Sequence, residues 1–448
     1  MLSVTQARQT AQSLVERARS AGADAADAIY VGDRSSGVQV RLGELEDVQR
    51  SEGEEIGLRL FRGTRSASVA SSDLSSDALA ALVERAMAMA AEAPEDPFAG
   101  LAPPEMLFRG DPVDLDNDDP VEPDPAALRA RALEAESAAL AVKGVSNSSG
   151  GSASASASTV ALAISSGFAG AYRATGHSCS ASVIAGEGAG MQRDYAYHTV
   201  RHAEDLENAA AIGRRAGERA VARLNPVKPT PGRTAILFDP RVAASLLGHF
   251  IAAINGASVA RKASFLQGKL GEQIFARGVT IHDDPLRRRG LRSRPFDGEG
   301  LPVSPSDLVA DGVLKTWLAD SAAARQLGIA PTGHAVRGVG GAPGAGPSNV
   351  FLQPGQRSRE ELLAAYPSAI LITELIGQGV NGVTGDYSRG ASGFLVTNGA
   401  IGAPVAEITI ASNLLDMFAT MEPASDLILR RGIDSPTILI PEMIVASG

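Results

Sequence analysis

Apolar residues recur at helical spacing through Met1–Ala21, where Val4, Ala7, Ala11, Leu14, Val15 and Ala18 mark one face. Short β-type segments follow around Ala25–Val31, Gly37–Leu42, Glu54–Arg62 and Thr64–Ser71. Ser72–Asp77 is rich in capping residues and leads into a helix through about Ala91. The pattern predicts an α-β-β-β-β-α unit. Tight glycine connections such as Arg62-Gly63-Thr64 favour antiparallel hairpins over crossovers.

From Ala93 to Pro123 proline and aspartate are too dense for a helix or a central strand, so the segment reads as a linker. Asp124-Pro125 is an N-cap and first helical position, opening a helix to about Val142. Gly144–Val200 alternates small and apolar residues in strand fashion. Within it Ser152–Ser158 alone could pass for a flexible tract, but the alternation runs straight into Val160–Ile164. A helix is expected over about Ala203–Leu224. The proline-rich Asn225–Arg233 then marks a boundary before a strand at Thr234–Phe238 and a helix at about Pro240–Ile254. Gly338–Pro347 (GVGGAPGAGP) reads as a mobile surface loop. The expected fold is α+β in two domains, residues 1–224 (linker about 93–123) and 234–448, each mixing helices with largely antiparallel sheet.

Composition narrows the function. The 448 residues carry 41 Lys and Arg against 51 Asp and Glu, a formal net charge of −10, which suits a soluble chain and disfavours general nucleic-acid binding. The one basic cluster, Arg287, Arg288, Arg289, Arg292 and Arg294, reads as a solvated loop. Met1–Ala21 lacks the apolar run of a targeting signal, and the uninterrupted apolar runs are too short to span a bilayer. A single cysteine, Cys179, excludes an internal disulfide and fits a reducing compartment, so a cytoplasmic location is expected.

Several constellations invite chemistry. Gly377-Gln378-Gly379-Val380-Asn381-Gly382 fits G-x-G-x-x-G, but the glycine-broken Val383–Gly393 follows it and leads to a strand at Phe394–Thr397, where a dinucleotide site needs a helix. His177 and Cys179 share one face of a probable strand without a nearby third ligand, and read as core. His282-Asp283-Asp284 alternates direction along an extended chain and cannot converge on one ion. What stands out instead is a series of turn-rich strings: Ala263–Leu266, Gly290–Gly300 (GLRSRPFDGEG), Asp311–Leu314, Thr332–Ala335 (TGHA), Thr384–Gly393 (TGDYSRGASG) and Pro404–Ile410 (PVAEITI). Glycine turns beside polar residues suit a cleft lined by loops.

In that order the strings resemble the PmbA/TldE branch of the TldD/PmbA family, once labelled modulators of DNA gyrase and associated with peptidase activity. The resemblance covers nearly the whole chain and is strongest from Thr234 onward. It implies a TldD-type partner resembling a zinc peptidase with an H-E-x-x-x-H helix and a distant cysteine. The matching positions here are Gly248 and Ala253 for the two ligands and His249 for the general base, and Arg430–Gly448 contains no cysteine. A catalytic zinc usually needs three protein ligands and an open position, which His249 alone does not meet. The resemblance therefore implies a noncatalytic subunit of a heteromeric metalloprotease, with no metal of its own and zinc in the partner.

The expected substrate is an unfolded or extended peptide, held as an added strand by main-chain hydrogen bonds. Phe296, Asp297, Glu299, His334, Asp386, Tyr387, Ser388 and Arg389 are the candidates for lining that space or a subunit interface, and the isolated chain could pair with itself. Two other readings stand beside this one. The first is a regulatory protein acting on DNA gyrase or toxin–antitoxin partners, and the second is a self-sufficient hydrolase working through His249 or His282.

Overall fold

A computed structural model describes residues 1–447. Its N-terminal half is built on one six-stranded antiparallel sheet, ordered β3-β2-β1-β4-β5-β6. These strands are β1 (Ala25–Arg41), β2 (Glu44–Arg62), β3 (Arg65–Ser71), β4 (Val145–Ile164), β5 (Phe168–Ala185) and β6 (Gln192–Val200). Helices α1 (Val4–Ser20), α2 (Ser76–Glu92), α3 (Pro125–Leu140) and α4 (Ala209–Ala222) complete this half. The segments foreseen at 25–31 and 37–42 are one strand, because β1 pairs continuously with β4 and, across a register shift between Gln39 and Val40, also with β2. The first unit therefore has three strands where four were expected. The Ser/Ala tract is ordered: Ala153, Ala155 and Ala157 are buried, and Ser152 hydroxyl meets that of Ser180 at 2.8 Å across the pair.

The helices start and pack for local reasons. Ser3 and Gln6 form a capping box on α1, whose buried face is Ala7, Ala11, Leu14, Val15 and Ala18, as the spacing predicted. Asp124 caps α3 and Pro125 occupies its first turn. The helix foreseen over 203–224 begins only at Ala209, where Asn208 caps it, after a single tight turn at Ala203–Asp205. With only 4% aromatic residues, the elements approach closely through small side chains. A Cβ on Gly213 of α4 would sit 2.0 Å from the Ala135 carbonyl oxygen of α3.

The C-terminal half centres on β7 (Gly232–Phe238), β8 (Ser368–Ile376), β9 (Asp386–Thr397), β10 (Ala400–Asn413) and β11 (Ile438–Ser447), ordered β10-β9-β8-β7-β11. β10 also pairs with β11, so the sheet closes on itself. Only β7 and β8 run parallel in this set. Helix α5 (Pro240–Ala253) follows β7 and buries Ala243, Leu246, Leu247 and Phe250 in the main core beneath the sheet. A smaller five-stranded sheet carries Ile281–Asp283 and Val350–Leu352 at its centre.

The halves are locked at a buried polar junction. Asp27 of β1 accepts from Arg59 of β2 (Nε to Oδ2, 2.9 Å) and from Arg337 of the C-terminal half. Burial alone would raise the Asp27 pKa, but Arg337 and Arg59 hold it below the usual carboxylate value. Beside this contact, Val339 lies so close to β2 that a Cβ on Gly57 would stand 2.0 Å from its carbonyl oxygen. The surface tract Gly338–Pro347 is thus anchored at Val339 and by the pairing of Gly344-Ala345 with Ala335-Val336, while Gly338, Gly340, Ala342 and Gly344 stay exposed. Arg325 adds three bonds to the carbonyls of Phe98, Gly100 and Leu101 in the linker. The basic cluster is paired while parts of it stay exposed: Arg288, 71% exposed, and Arg289 both meet Asp116, and Arg289 also pairs with Glu204 and Asp205. Sequence shows like charges in a row, whereas the fold brings the acidic linker onto them.

Phe296, Asp297 and Glu299 belong to the same junction. Phe296 packs edge-on against Phe168 at 4.9 Å and Tyr172 at 5.6 Å. Asp297 accepts the backbone N–H groups of Glu299, Leu301 and Ala335. Glu299 accepts from the backbone and hydroxyl of Ser321 (2.8 and 2.7 Å), and burial, reinforced by the Asp297 charge, lifts its pKa to about 7.

Two predictions follow from the packing. Gly213→Ala destabilises the chain by about 1–3 kcal/mol through overpacking, whereas Gly248→Ala, with no atom within 4 Å of the added Cβ, is neutral or stabilising by up to about 1 kcal/mol; urea unfolding of both variants reads the contrast. A carboxyl group with a raised folded pKa favours folding while protonated and loses that advantage as pH rises through the folded value near 7. Glu299→Gln removes that loss, so its melting temperature relative to the unmodified chain rises between about pH 5 and 8. A constant difference across that range would show that Glu299 ionises in the folded state as readily as in the unfolded chain.

Candidate functional site

Helix α5 carries the positions that the resemblance singled out. Asp239 caps it and Pro240 opens it, so its register is fixed from the first turn. The apolar positions face the core and leave His249 half-buried against Tyr387 of β9. The His249 ring stands edge-on to Tyr387 with centroids 6.1 Å apart. Among the described residues neither His249 Nε2 nor the Tyr387 hydroxyl, both buried, has a hydrogen-bond partner. Burial and the nearby Arg389 cation lower the His249 pKa, so the ring is neutral at neutral pH. Burial drives the Tyr387 hydroxyl far above its ordinary value, so it stays protonated.

This neighbourhood is polar but poor in metal donors. Gly248 has no side chain, Ala253 ends in a methyl group, and Ser264 hydroxyl donates to the Ala253 carbonyl at 2.6 Å. Among the described residues there is no group of three or more His, Cys, Asp or Glu side chains placed to hold a metal ion. The residues around His249 therefore do not fit a catalytic zinc, which needs three protein ligands. A neutral imidazole beside a protonated phenol and a guanidinium can donate or accept a hydrogen bond.

The other candidates fall into two groups. Asp386, Tyr387, Ser388 and Arg389 lie on β9, which starts at Asp386 and not at Phe394 as the glycines suggested. Strand alternation turns Tyr387 and Arg389 inward and leaves Asp386 and Ser388 exposed. The glycines serve packing: a Cβ on Gly393 would stand 1.9 Å from the Leu371 carbonyl oxygen. Phe296, Asp297, Glu299 and His334 are at most 8% exposed and are engaged within the chain. His334 bridges Asp283 (3.3 Å) and Thr332 (2.9 Å). The polar groups of this set are buried and bond to partners within the C-terminal half.

The weaker motifs are structural. Gly377–Gly382 forms the connection from β8 to β9, and no helix opens after it. His177 and Cys179 are both buried on β5; His177 Nε2 lies 3.1 Å from Asp119, and burial pushes the Cys179 thiol up to about 11, which leaves it unreactive. His282 pairs with Asp307 (2.7 Å), while Asp283 turns away toward Ser348. Sequence reasoning missed Asp27, Arg59 and Arg337, and also the arginines that α4, α5 and the 430–431 segment direct into one cavity beside β6. The spacing of Arg215 and Arg219, four apart on one helix face, and the alternation of Tyr195 and Tyr197 were signals of that cavity.

Known proteins extend this picture. The chain matches the PmbA/TldA metallopeptidase domain 1 over residues 26–90, the central domain over 118–224 and the C-terminal domain over 231–447. The single N-terminal sheet thus spans the first two of these units. Metalloprotease PmbA of Escherichia coli O157:H7 is 38% identical over 411 residues, 91% of this chain and 89% of the relative. A Metalloprotease PmbA homolog of Haemophilus influenzae is 35% identical over 98% of this chain and 96% of its own length. Among solved structures, a Bacteroides thetaiotaomicron protein described as a candidate modulator of DNA gyrase superposes over the full length of both chains with a TM-score of 0.92 and 25% identity. TldE from Thermococcus kodakarensis has the same fold, with a TM-score of 0.86, 19% identity and coverage of 97% of this chain and 99% of its own. These full-length likenesses, joined to the motif series from Ala263 to Ile410, establish that the chain belongs to the PmbA/TldD family.

Proposed function

We propose that this chain is a noncatalytic, TldE/PmbA-type subunit of a heteromeric TldD/TldE-like zinc metalloprotease that acts on unfolded or extended peptides. The observation that carries the reading is the donor-poor wall of α5, with Gly248 and Ala253 where the resemblance asks for ligands and His249 without a carboxylate partner. Zinc would reside in a TldD-type partner and supply a Lewis acid and an activated water there. This chain would shape the space in which a peptide is held and stabilise that partner, with cytoplasmic location as the accompanying expectation. Bound as an added strand, a peptide would be gripped through its backbone, which gives affinity with little sequence selectivity.

A second reading, direct action on DNA gyrase, draws on the description of the Bacteroides relative. The net charge of −10 gives that reading no general means of gripping DNA, so it requires contact with the protein itself.

Cleavage of unfolded casein by the purified chain, alone and mixed with a TldD-type protein, tests the proposal when bound zinc is quantified in each sample. The expected result is cleavage and stoichiometric zinc only in the mixture. Chelator-sensitive cleavage by this chain alone, lost on His249→Ala or His282→Ala, would overturn it in favour of a self-sufficient hydrolase. Capture of purified gyrase by this chain, with no cleavage by the mixture, would favour the second reading.

A further inference from the structure

A cavity of about 480 Å³ opens at the seam between the central and C-terminal domains. Its walls are β6, α4, the first turn of α5, the start of the short helix Arg359–Leu363 and the segment around residues 425–435. Six guanidinium groups line it: Arg215, Arg219, Arg241, Arg359, Arg430 and Arg431. So many like charges in one half-buried space repel each other unless anions intervene. Where those anions are, and where they are not, identifies the site.

Four of the six are paired with carboxylates of the chain. Arg215 and Arg430 share Glu207. Arg241 pairs with Asp194 at 2.8 Å, and Arg359 with Asp239 at 3.2 Å. The remaining two have no carboxylate within ion-pair distance among the described residues. Arg219 donates only to the Tyr195 carbonyl, at 3.2 Å, and the Arg431 guanidinium lies over the Tyr197 ring, 5.6 Å from its centroid. The acids in the wall are engaged elsewhere. Asp434 accepts the backbone N–H groups of Arg430 and Arg431, and Asp426 accepts from Thr437. Glu360, the other carboxylate in the wall, is exposed and has no bonded partner among the described residues. Burial, added to by the Arg241 cation, brings the Arg219 pKa down to about 10, in keeping with a guanidinium that lacks a counter-ion.

The rest of the lining suits a ligand with a body as well as a charge. Tyr195 and Tyr197 remain 46% and 38% exposed, with nearly parallel rings whose centroids are 6.2 Å apart. Arg241 lies over the first ring. Exposed tyrosine beside half-buried arginine presents flat apolar surface together with planar donors that match the oxygens of a carboxylate or phosphate.

We propose that this cavity binds a small oxyanion-bearing ligand, a phosphate or carboxylate compound, through Arg219 and Arg431, with the body of the ligand against Tyr195 and Tyr197. A ligand held there bridges α4 and β6 to the segment 425–435, and so ties the central domain to the C-terminal one. Binding to the folded state alone also raises stability by mass action. This inference is independent of the subunit assignment, because Arg219, Arg431, Tyr195 and Tyr197 all lie outside α5.

Isothermal titration of the purified full chain with pyrophosphate and, separately, with tricarballylate tests it at about 0.15 M salt, where attraction to scattered surface charge is largely screened. The expected result is saturable one-to-one binding of at least one probe with Kd of about 1 mM or tighter. Arg219→Gln and Arg431→Gln should each weaken it by about fivefold or more, while Arg193→Gln, on the same strand but outside the cavity, leaves it unchanged. Pyrophosphate alone assigns the site to phosphate compounds, tricarballylate alone to carboxylates, and both with the same arginine dependence to their shared oxyanion chemistry. Circular dichroism melts show whether the variants are folded, and Arg219→Lys, which keeps the charge but loses the planar fork, should bind with intermediate affinity. Absence of saturable binding by either probe, or equal affinity in folded Arg219→Gln and Arg431→Gln, would overturn the proposal.

Discussion

Asp27 sits in the first strand of the N-terminal sheet, and its carboxylate is shared by Arg59 on the neighbouring strand and by Arg337, 310 residues further along the chain. All three side chains are almost wholly removed from water. A buried carboxylate with one cation would be poorly compensated, whereas two guanidinium groups supply enough donors to replace its hydration. The arrangement satisfies Asp27 only when the C-terminal half is docked, so it couples domain placement to the electrostatics of a single acid. Breaking such a contact costs about 3–5 kcal/mol, because a buried charge is left behind. Its role is to specify one geometry more than to add net stability, since well-packed apolar side chains would serve stability equally well.

Everything near the junction follows from that fixed geometry. The segment after Arg337 must run close over β2, which explains why position 57 is glycine. Phe296 reaches the aromatic pair Phe168 and Tyr172, and the Asp297 carboxylate ties three backbone N–H groups into the turn that carries Glu299. Arg325 fastens the proline-rich linker. These polar groups are conformational staples, each with its partners inside the chain.

The region of α5 presents the opposite balance. Its core face is fully packed, yet its outer face offers a neutral histidine, a buried phenol and a glycine with open space above it. Family membership supplies the peptidase context for that helix, and the side chains present supply too few donors for a metal. One fold hosts different chemistries on the same scaffold, so function is argued from the side chains of the site. The arginine cavity beside β6 holds Arg219 and Arg431, which the chain leaves without counter-ions, and that is how a site for an external ligand differs from a staple.

Much was legible in the linear order of residues. Helical spacing identified α1 and its buried face, Asp124-Pro125 marked the start of α3, and the alternation of Ser and Ala gave a long ordered strand. The motif series around Pro295–Gly300 and Thr384–Gly393 pointed to the family, and the replacements at Gly248 and Ala253 could be read at once. Local pattern suffices for these features because each depends on neighbours within a turn or on the two-residue repeat of a strand. It failed where partners lie far apart in sequence. Arg289 looked unpaired until Asp116 was laid beside it, and the glycine tract from Gly338 looked mobile until Val339 met β2. Tyr195, Arg219 and Arg431 share a cavity only because three separate elements converge there. Sequence by itself determined most of the helices and the family; tertiary structure alone decided which charges are paired, because ion pairing depends on distances in space that no local spacing encodes.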